Sequence, residues 1–507
     1  MKASKKLGLR GRLAAGAFCA LALLTSPASA QDLRENLTVI NLENGMTVLV
    51  YPRPQTPVFA AVLSMDVAGS DESYGETGVA HMFEHMAFKG TSIIGTRNVE
   101  AELPLMEAMD ALAEEARVEL SQPEPDMAKV EAARDKIREL QAQQAEYIVK
   151  DELDLILSRN GATGVNASTG ADFTTYYTAL PSNRLEMYFW LESDRMKNPV
   201  MREFYSERDV VMEERRQRTD NSANGLLYEA FNNAAFQAHP YGKPVIGWAS
   251  DISSITRPMA EDFRSKFYGP KSAVLAIVGD VDPNEVRRLS EKYFADWDAP
   301  GQPKRIVTRE PDQRGERRVR VEFDAEPSLM IGWHKPGTPT TEDAAFGWLA
   351  SILTSGANSR LYKELVINKK LVTNIGAYSA PGDKYENMFI ISATPRAPHT
   401  VAEVETAIME VIAKLAAEGV TEKEMARVRR SFERAYIEQA DSNMGFADTL
   451  AETTNLYKDP YALDAEKARL LAITPEQIQE IAKKYIRPDN QTVAWVERPA
   501  ADQEVVK

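Results

Sequence analysis

The stretch HMFEHMAFKG, beginning at His81, holds two of only five histidines in a chain of 507 residues. His81 and His85 stand four apart with Glu84 directly before the second, and Ala, Met and Phe at helical spacing predict a helix here. Residues four apart share a helix face about 6 Å apart along the axis. The two imidazoles can therefore converge on one metal ion. Glu84 follows His81 by three and falls on nearly the same face, within reach of a water held by that ion. A catalytic zinc takes three protein ligands and leaves a fourth position for such a water. The chemistry to expect is activation of water by a metal and a carboxylate. The competing explanation is two packed histidines beside an incidental acid, and a third ligand decides between them.

The run SERDVVMEERR offers Glu207, Glu213 and Glu214 on one predicted helix. Residues seven apart return to almost the same face, so Glu207 and Glu214 point together while Glu213 points elsewhere. One of the aligned pair can bind metal and the other can orient a histidine from behind. Alone, this run would be a solvated charged face.

The order H-x-x-E-H inverts the commoner zinc-protease motif. With GVAHMFEHMAFKGT, GVNASTGADFTTYYTALP, ERDVVMEE and HPYGKPVIG in this order, the chain resembles the pitrilysin and mitochondrial-processing-peptidase family of zinc metallopeptidases. The resemblance implies a zinc endopeptidase with one Zn2+ on His81, His85 and Glu214. It implies Glu84 as general base and Glu207 as the supporting acid. It also implies that the strand carrying Asn166, Ala167, Ser168 and Thr169 pairs with the backbone of a peptide substrate. A rival from another class is a non-catalytic structural or partner subunit, but such relatives lose motif residues that this chain keeps.

These side chains must be positioned by a larger frame, and the sequence repeats itself. The segment HPYGKPVIGWASDISSITRPMAEDFRSKFYGPKSAVLAIVGDV from His239 parallels DPYALDAEKARLLAITPEQIQEIAKKYIRPDNQTVAWVERP from Asp459. The expected fold is α+β: two homologous α/β domains, duplicated sheet-plus-helices halves that together form one half of a clamshell. The expected boundaries are residues 31–297 for the metal-bearing half, 298–316 for a Pro- and Gly-rich linker, and 317–507 for its homologue. Two Ala-, Glu- and Leu-rich stretches over about 101–155 predict a helical hairpin inserted in the first half.

In the second half the motif is gone. Aligning ETGVAHMFEHMAFKG with EDAAFGWLASILTSG puts Gly347, Ala350 and Ser351 where His81, Glu84 and His85 stand. One active and one degenerate domain is the arrangement the resemblance implies, with an Arg and a Tyr seven apart in the degenerate half approaching the substrate carbonyl. Here LVINKKLVT places Val366 and Thr373 at those positions, so the pair is missing. Three substitutes are open: the metal alone, a different residue of this chain, or a homologous subunit that keeps Arg and Tyr. The last is the expectation, a heterodimer with such a subunit, with a self-sufficient homodimer as the alternative.

Residues 1–30 have a basic start, the apolar run LAAGAFCALALL and a small-x-small end, the pattern of a secretory signal peptide. Cys19, the only cysteine, lies within it, so the remaining chain can form no disulfide and no thiolate metal site. Setting aside its five basic residues leaves 55 basic against 75 acidic residues, a net charge of −20. That balance disfavours nucleic acid and anionic membranes as partners. No later apolar stretch approaches a membrane span. An exported, periplasmic protein is expected.

Overall fold

The computed structural model describes residues 33–298 and 305–499. The expected leader over residues 1–30 and part of the expected linker over 298–316 lie outside the described residues.

Among the described residues, eleven strands form two mixed sheets. The first contains β1 (Thr38–Asn41), β2 (Thr47–Pro52), β3 (Val58–Met65), β4 (Thr163–Thr169), β5 (Thr174–Pro181) and β6 (Ala273–Gly279), in the order β1-β2-β6-β3-β5-β4. The second contains β7 (Arg317–Glu322), β8 (Ser328–Lys335), β9 (Val372–Ala380), β10 (Asn387–Pro395) and β11 (Gln491–Glu497), in the order β7-β11-β8-β10-β9. The duplication is explicit in the pairing. β2 and β6 run parallel, as do β7 and β11. Every later neighbour in both sheets is antiparallel, and β4 and β9 occupy equivalent edges.

Six helices matter for the site: α1 (Val79–Met86), α2 (Val99–Leu120), α3 (Met127–Gln144), α4 (Phe204–Arg215), α5 (Ala223–Ala235) and α6 (Asn443–Tyr457). α2 and α3 are the inserted hairpin. Its root is a buried ion pair, Glu102 with Arg202 at 3.1 Å, and Gln144 donates to the same carboxylate at 2.9 Å. Arg202 also donates to the carbonyls of Lys89, Thr91 and Ile94, so the insertion is tied to the loop that follows α1.

Central strands β3 and β6 read VFAAVLSM and AVLAIVG, nearly continuous apolar runs. A strand of that kind is buried on both faces, and a sheet has only one face toward its own core. On one face, Val48, Val50, Ala61, Leu63, Leu275 and Ile277 join the main core of the first half. The other face, including Leu49, Val62, Ala276 and Val278, is covered by Phe446, Ala447, Leu450 and Ala451 of α6, a helix from the second half of the chain. The exchange is reciprocal. α5, from the first half, covers Met330, Met388, Ile390, Ala494 and Val496 of the second sheet with Leu227, Phe231 and Ala235. Phe231 sits over Gly332, where an added Cβ would lie 2.5 Å from its ring. Each half therefore closes the outer face of the other. Among the described residues, no helix is long and apolar enough to cross a membrane.

Candidate metal centre

α1 is preceded by Gly78, whose φ of 92° favours glycine. Two acids hold this end. Glu72 accepts from the amides of Gly78 at 2.9 Å and Ala80 at 2.8 Å, and Asp251 accepts from Thr77 Oγ1 at 2.6 Å. The free N–H groups of a first helical turn require such acceptors. Sequence reasoning singles out neither acid. The cue it offers is an acid shortly before an apolar helix, with no means of pairing Asp251 to it.

α1 presents His81 and Glu84 as buried side chains, with His85 half-buried. α4 packs against α1 and brings in both aligned glutamates. Nε2 of His81 lies 3.8 Å from Glu214 Oε1, and Nε2 of His85 lies 3.5 Å from Glu214 Oε2. Ligand atoms of His81, His85 and Glu214 all fall within 4.8 Å of one another. A tetrahedral zinc with bonds of about 2.0–2.2 Å sets its ligand atoms about 3.3–3.6 Å apart. The two His–Glu separations are therefore close to the required spacing, and two imidazoles with one carboxylate make an ordinary zinc donor set.

Behind this cluster, His85 Nδ1 meets Glu207 Oε1 at 2.8 Å, and Lys89 Nζ meets the other oxygen of Glu207 at 2.6 Å. Glu213 turns away and pairs with Arg216 and Gln217. The seven-residue spacing thus separates the acids as the helical period requires.

The charges favour a cation. Burial, with the neighbouring His85, lowers the His81 pKa to about 4 and keeps its ring neutral. Burial opposes charge on His85 as well, but Glu207 and Glu214 outweigh it and raise that pKa to about 9. Burial likewise opposes ionisation of Glu207, and its bonds to His85 and Lys89 overcome this, taking it down to about 2. The carboxylates thus hold a positive charge on His85, in the place where a metal would put one. Burial raises the Glu84 pKa, with the Thr169 hydrogen bond pulling the other way.

Thr169 Oγ1 donates to Glu84 Oε2 at 2.5 Å. Thr169 ends β4, the last strand of its sheet, so Glu84 is braced by the strand of Asn166, Ala167, Ser168 and Thr169. Asn166 and Ser168 are exposed, and Ser168 Oγ lies 3.2 Å from Tyr177 on β5. In the second half, Val366 packs against the local core and the Thr373 hydroxyl donates to Thr394 O at 3.4 Å. The contacts of both side chains thus lie within the second half.

If Glu207 acts through His85, Glu207→Gln should weaken zinc affinity by about 10–100-fold, while Glu213→Gln should leave it unchanged. Competition with a chelating dye reads both. The opposite ranking would show that the acid behind His85 is not Glu207.

Residues 140–248 match the family model described as Insulinase (Peptidase family M16), and residues 254–432 match that of the Peptidase M16 inactive domain. The first match includes Glu207 and Glu214 but begins beyond His85, on the far side of most of the inserted hairpin. Zinc protease PqqE of Helicobacter pylori is 26% identical over 485 residues, spanning 94% of this chain and 96% of its own. The crystal structure of a protease from Helicobacter pylori superposes with a TM-score of 0.76 at 25% identity, covering 91% of this chain and 99% of that one. The periplasmic protease PqqL from Escherichia coli shares the fold at 17% identity with a TM-score of 0.67, over 91% of this chain but only 48% of its own length. Family matches on both sheets, with end-to-end likeness to a zinc protease, make this chain a member of peptidase family M16.

Proposed function

We propose that this protein is a zinc-dependent endopeptidase acting on peptides or unfolded polypeptide segments. The observation that carries this reading is the convergence of His81, His85 and Glu214 beside Glu84, itself hydrogen-bonded to an edge strand. Zinc held by those three residues would supply a Lewis acid that polarises the scissile carbonyl and acidifies water. Glu84 accepts the proton of the attacking water and delivers it to the leaving amine. Thr169 fixes the carboxylate that performs this transfer, and Glu207 fixes the ring of His85. Asn166 to Thr169 offer an edge to which an extended peptide adds as one more strand, placing its backbone across the site.

PqqL matches this chain over about half its length, which supports a second homologous subunit completing an enclosure, either another copy or a relative carrying Arg and Tyr. Enclosure favours unfolded segments over folded substrates. The leader-like residues 1–30 support export to the periplasm.

The test is to incubate the purified protein with an unfolded polypeptide. Fragments should form, cease on adding chelator and return with zinc. Fragmentation indifferent to chelator, or none after zinc loading with or without a homologous subunit carrying Arg and Tyr, would refute the proposal.

A further inference from the structure

Hydrolysis of an amide passes through a tetrahedral species whose oxygen carries negative charge, and a preorganised donor at that oxygen lowers the barrier. We propose that Arg218 is this donor and a catalytic residue of the chain; the inference rests on the peptidase reading above.

The cations near the cluster are not equivalent. Lys89 lies behind His85, bound to Glu207. Lys243 is buried and donates to the carbonyl of Glu72. Arg215 is buried between Glu229 and the Gly247 carbonyl. Arg218 differs from all three. Its side chain is 72% exposed, and its Nη1 meets Glu214 Oε1 at 2.5 Å. That same oxygen lies 3.8 Å from His81 Nε2, so the guanidinium stands at the front of the ligand cluster. It lines a cavity of about 420 Å³ together with His81, Thr169, Tyr228 and Tyr241. Gly170 and Ala171, which follow the end of β4 at Thr169, also line this cavity.

The backbone beneath Arg218 is fixed. Residues Arg216–Asp220 form a π-turn, a feature that recurs at functional sites. Gly225 of α5 presses against this turn: a Cβ there would lie 2.2 Å from the Arg218 carbonyl. Glu214 holds one nitrogen of a fork with five N–H donors, so the others remain to serve the substrate.

In the step itself, water oxygen bonds to the carbonyl carbon and the π pair moves onto the carbonyl oxygen. Glu84 takes the proton of the water. Arg218 donates a hydrogen bond to the new oxyanion and keeps its own proton. The C=O bond then re-forms, the C–N bond breaks, and the proton from Glu84 goes to the departing nitrogen. This assigns to the first half the role that Val366 and Thr373 leave open in the second.

Arg218→Ala and Arg218→Gln, made in the full chain and loaded with zinc, test the assignment. The expected result is a fall in kcat/KM of about 10²–10³, with zinc content and thermal unfolding unchanged. A phosphinic peptide, whose tetrahedral phosphorus carries the charge, should lose affinity by a similar factor. Affinity for the cleavable peptide, measured with Glu84→Gln as background, should be preserved. Added guanidinium should restore part of the activity of Arg218→Ala. Unchanged kcat/KM overturns the assignment. So does loss of zinc, which would make Arg218 a support for Glu214, and so does activity that appears only when a homologous subunit with Arg and Tyr is added. A wild-type chain that binds zinc but shows no hydrolysis, alone or with such a subunit, refutes the peptidase reading itself.

Discussion

Replacing Glu84 by glutamine is expected to leave zinc bound and to lower peptide hydrolysis by about 10²–10⁴-fold, the usual contribution of a positioned general base. The side chain belongs to the buried face of α1 but lies outside the ligand trio, and its hydrogen bond runs to Thr169. Glutamine keeps the shape and can still accept from that hydroxyl, so α1 and the histidines should not move. It cannot take a proton. His81→Ala and Glu214→Ala remove ligand atoms and should lose zinc and hydrolysis together. Kinetics and metal analysis on the same preparations separate the two classes. Near-normal turnover by Glu84→Gln would remove the mechanism, because the other two carboxylates at the cluster, Glu207 and Glu214, are both committed to the histidines.

The second large effect concerns the exchanged helices. Phe231→Ala should lower stability by about 3–5 kcal/mol, the range for emptying a buried aromatic site. Phe231 is fully buried, and its ring fills the space over Gly332 that any larger residue would occupy. It belongs by chain to the first half and by packing to the second. Because α5 covers one sheet and α6 the other, both sheets should unfold in a single transition that the substitution shifts as a whole. Denaturant unfolding followed by fluorescence and by circular dichroism checks this. Two separate transitions, only one of them moved, would show that the halves are stable independently.

Local spacing and non-local packing are not equally legible in the sequence. The approach of His81 and His85 follows from a four-residue interval on one helix. The divergence of Glu207 and Glu214 from Glu213 follows from a seven-residue one. Those are consequences of helical period and need no tertiary structure. That α4 faces α1 is implied only by family resemblance, since no rule of periodicity pairs two helices separated by a 22-residue and an 18-residue helix. The repeated segments at His239 and Asp459 announce duplication, and the matching strand orders display it. The exchange of α5 and α6 has no such signal. NMGFADTLAETTNLY shows that a face must be buried, and AVLAIVG shows that a strand has both faces covered, but neither says that one meets the other. Arg218 is hidden for a similar reason. In EERRQR it is one of several arginines, and only the packing of Gly225 and the direction of Glu214 distinguish it from Arg215 and Arg216.

The most direct measurement is a titration of metal-free protein with zinc, following turnover and bound metal together. Turnover should rise in proportion to bound zinc and stop at one equivalent per chain, while Glu84→Gln takes up the same equivalent in silence. Full turnover before any zinc is bound, or a full equivalent bound by His81→Ala, would contradict a catalytic metal centre at His81, His85 and Glu214.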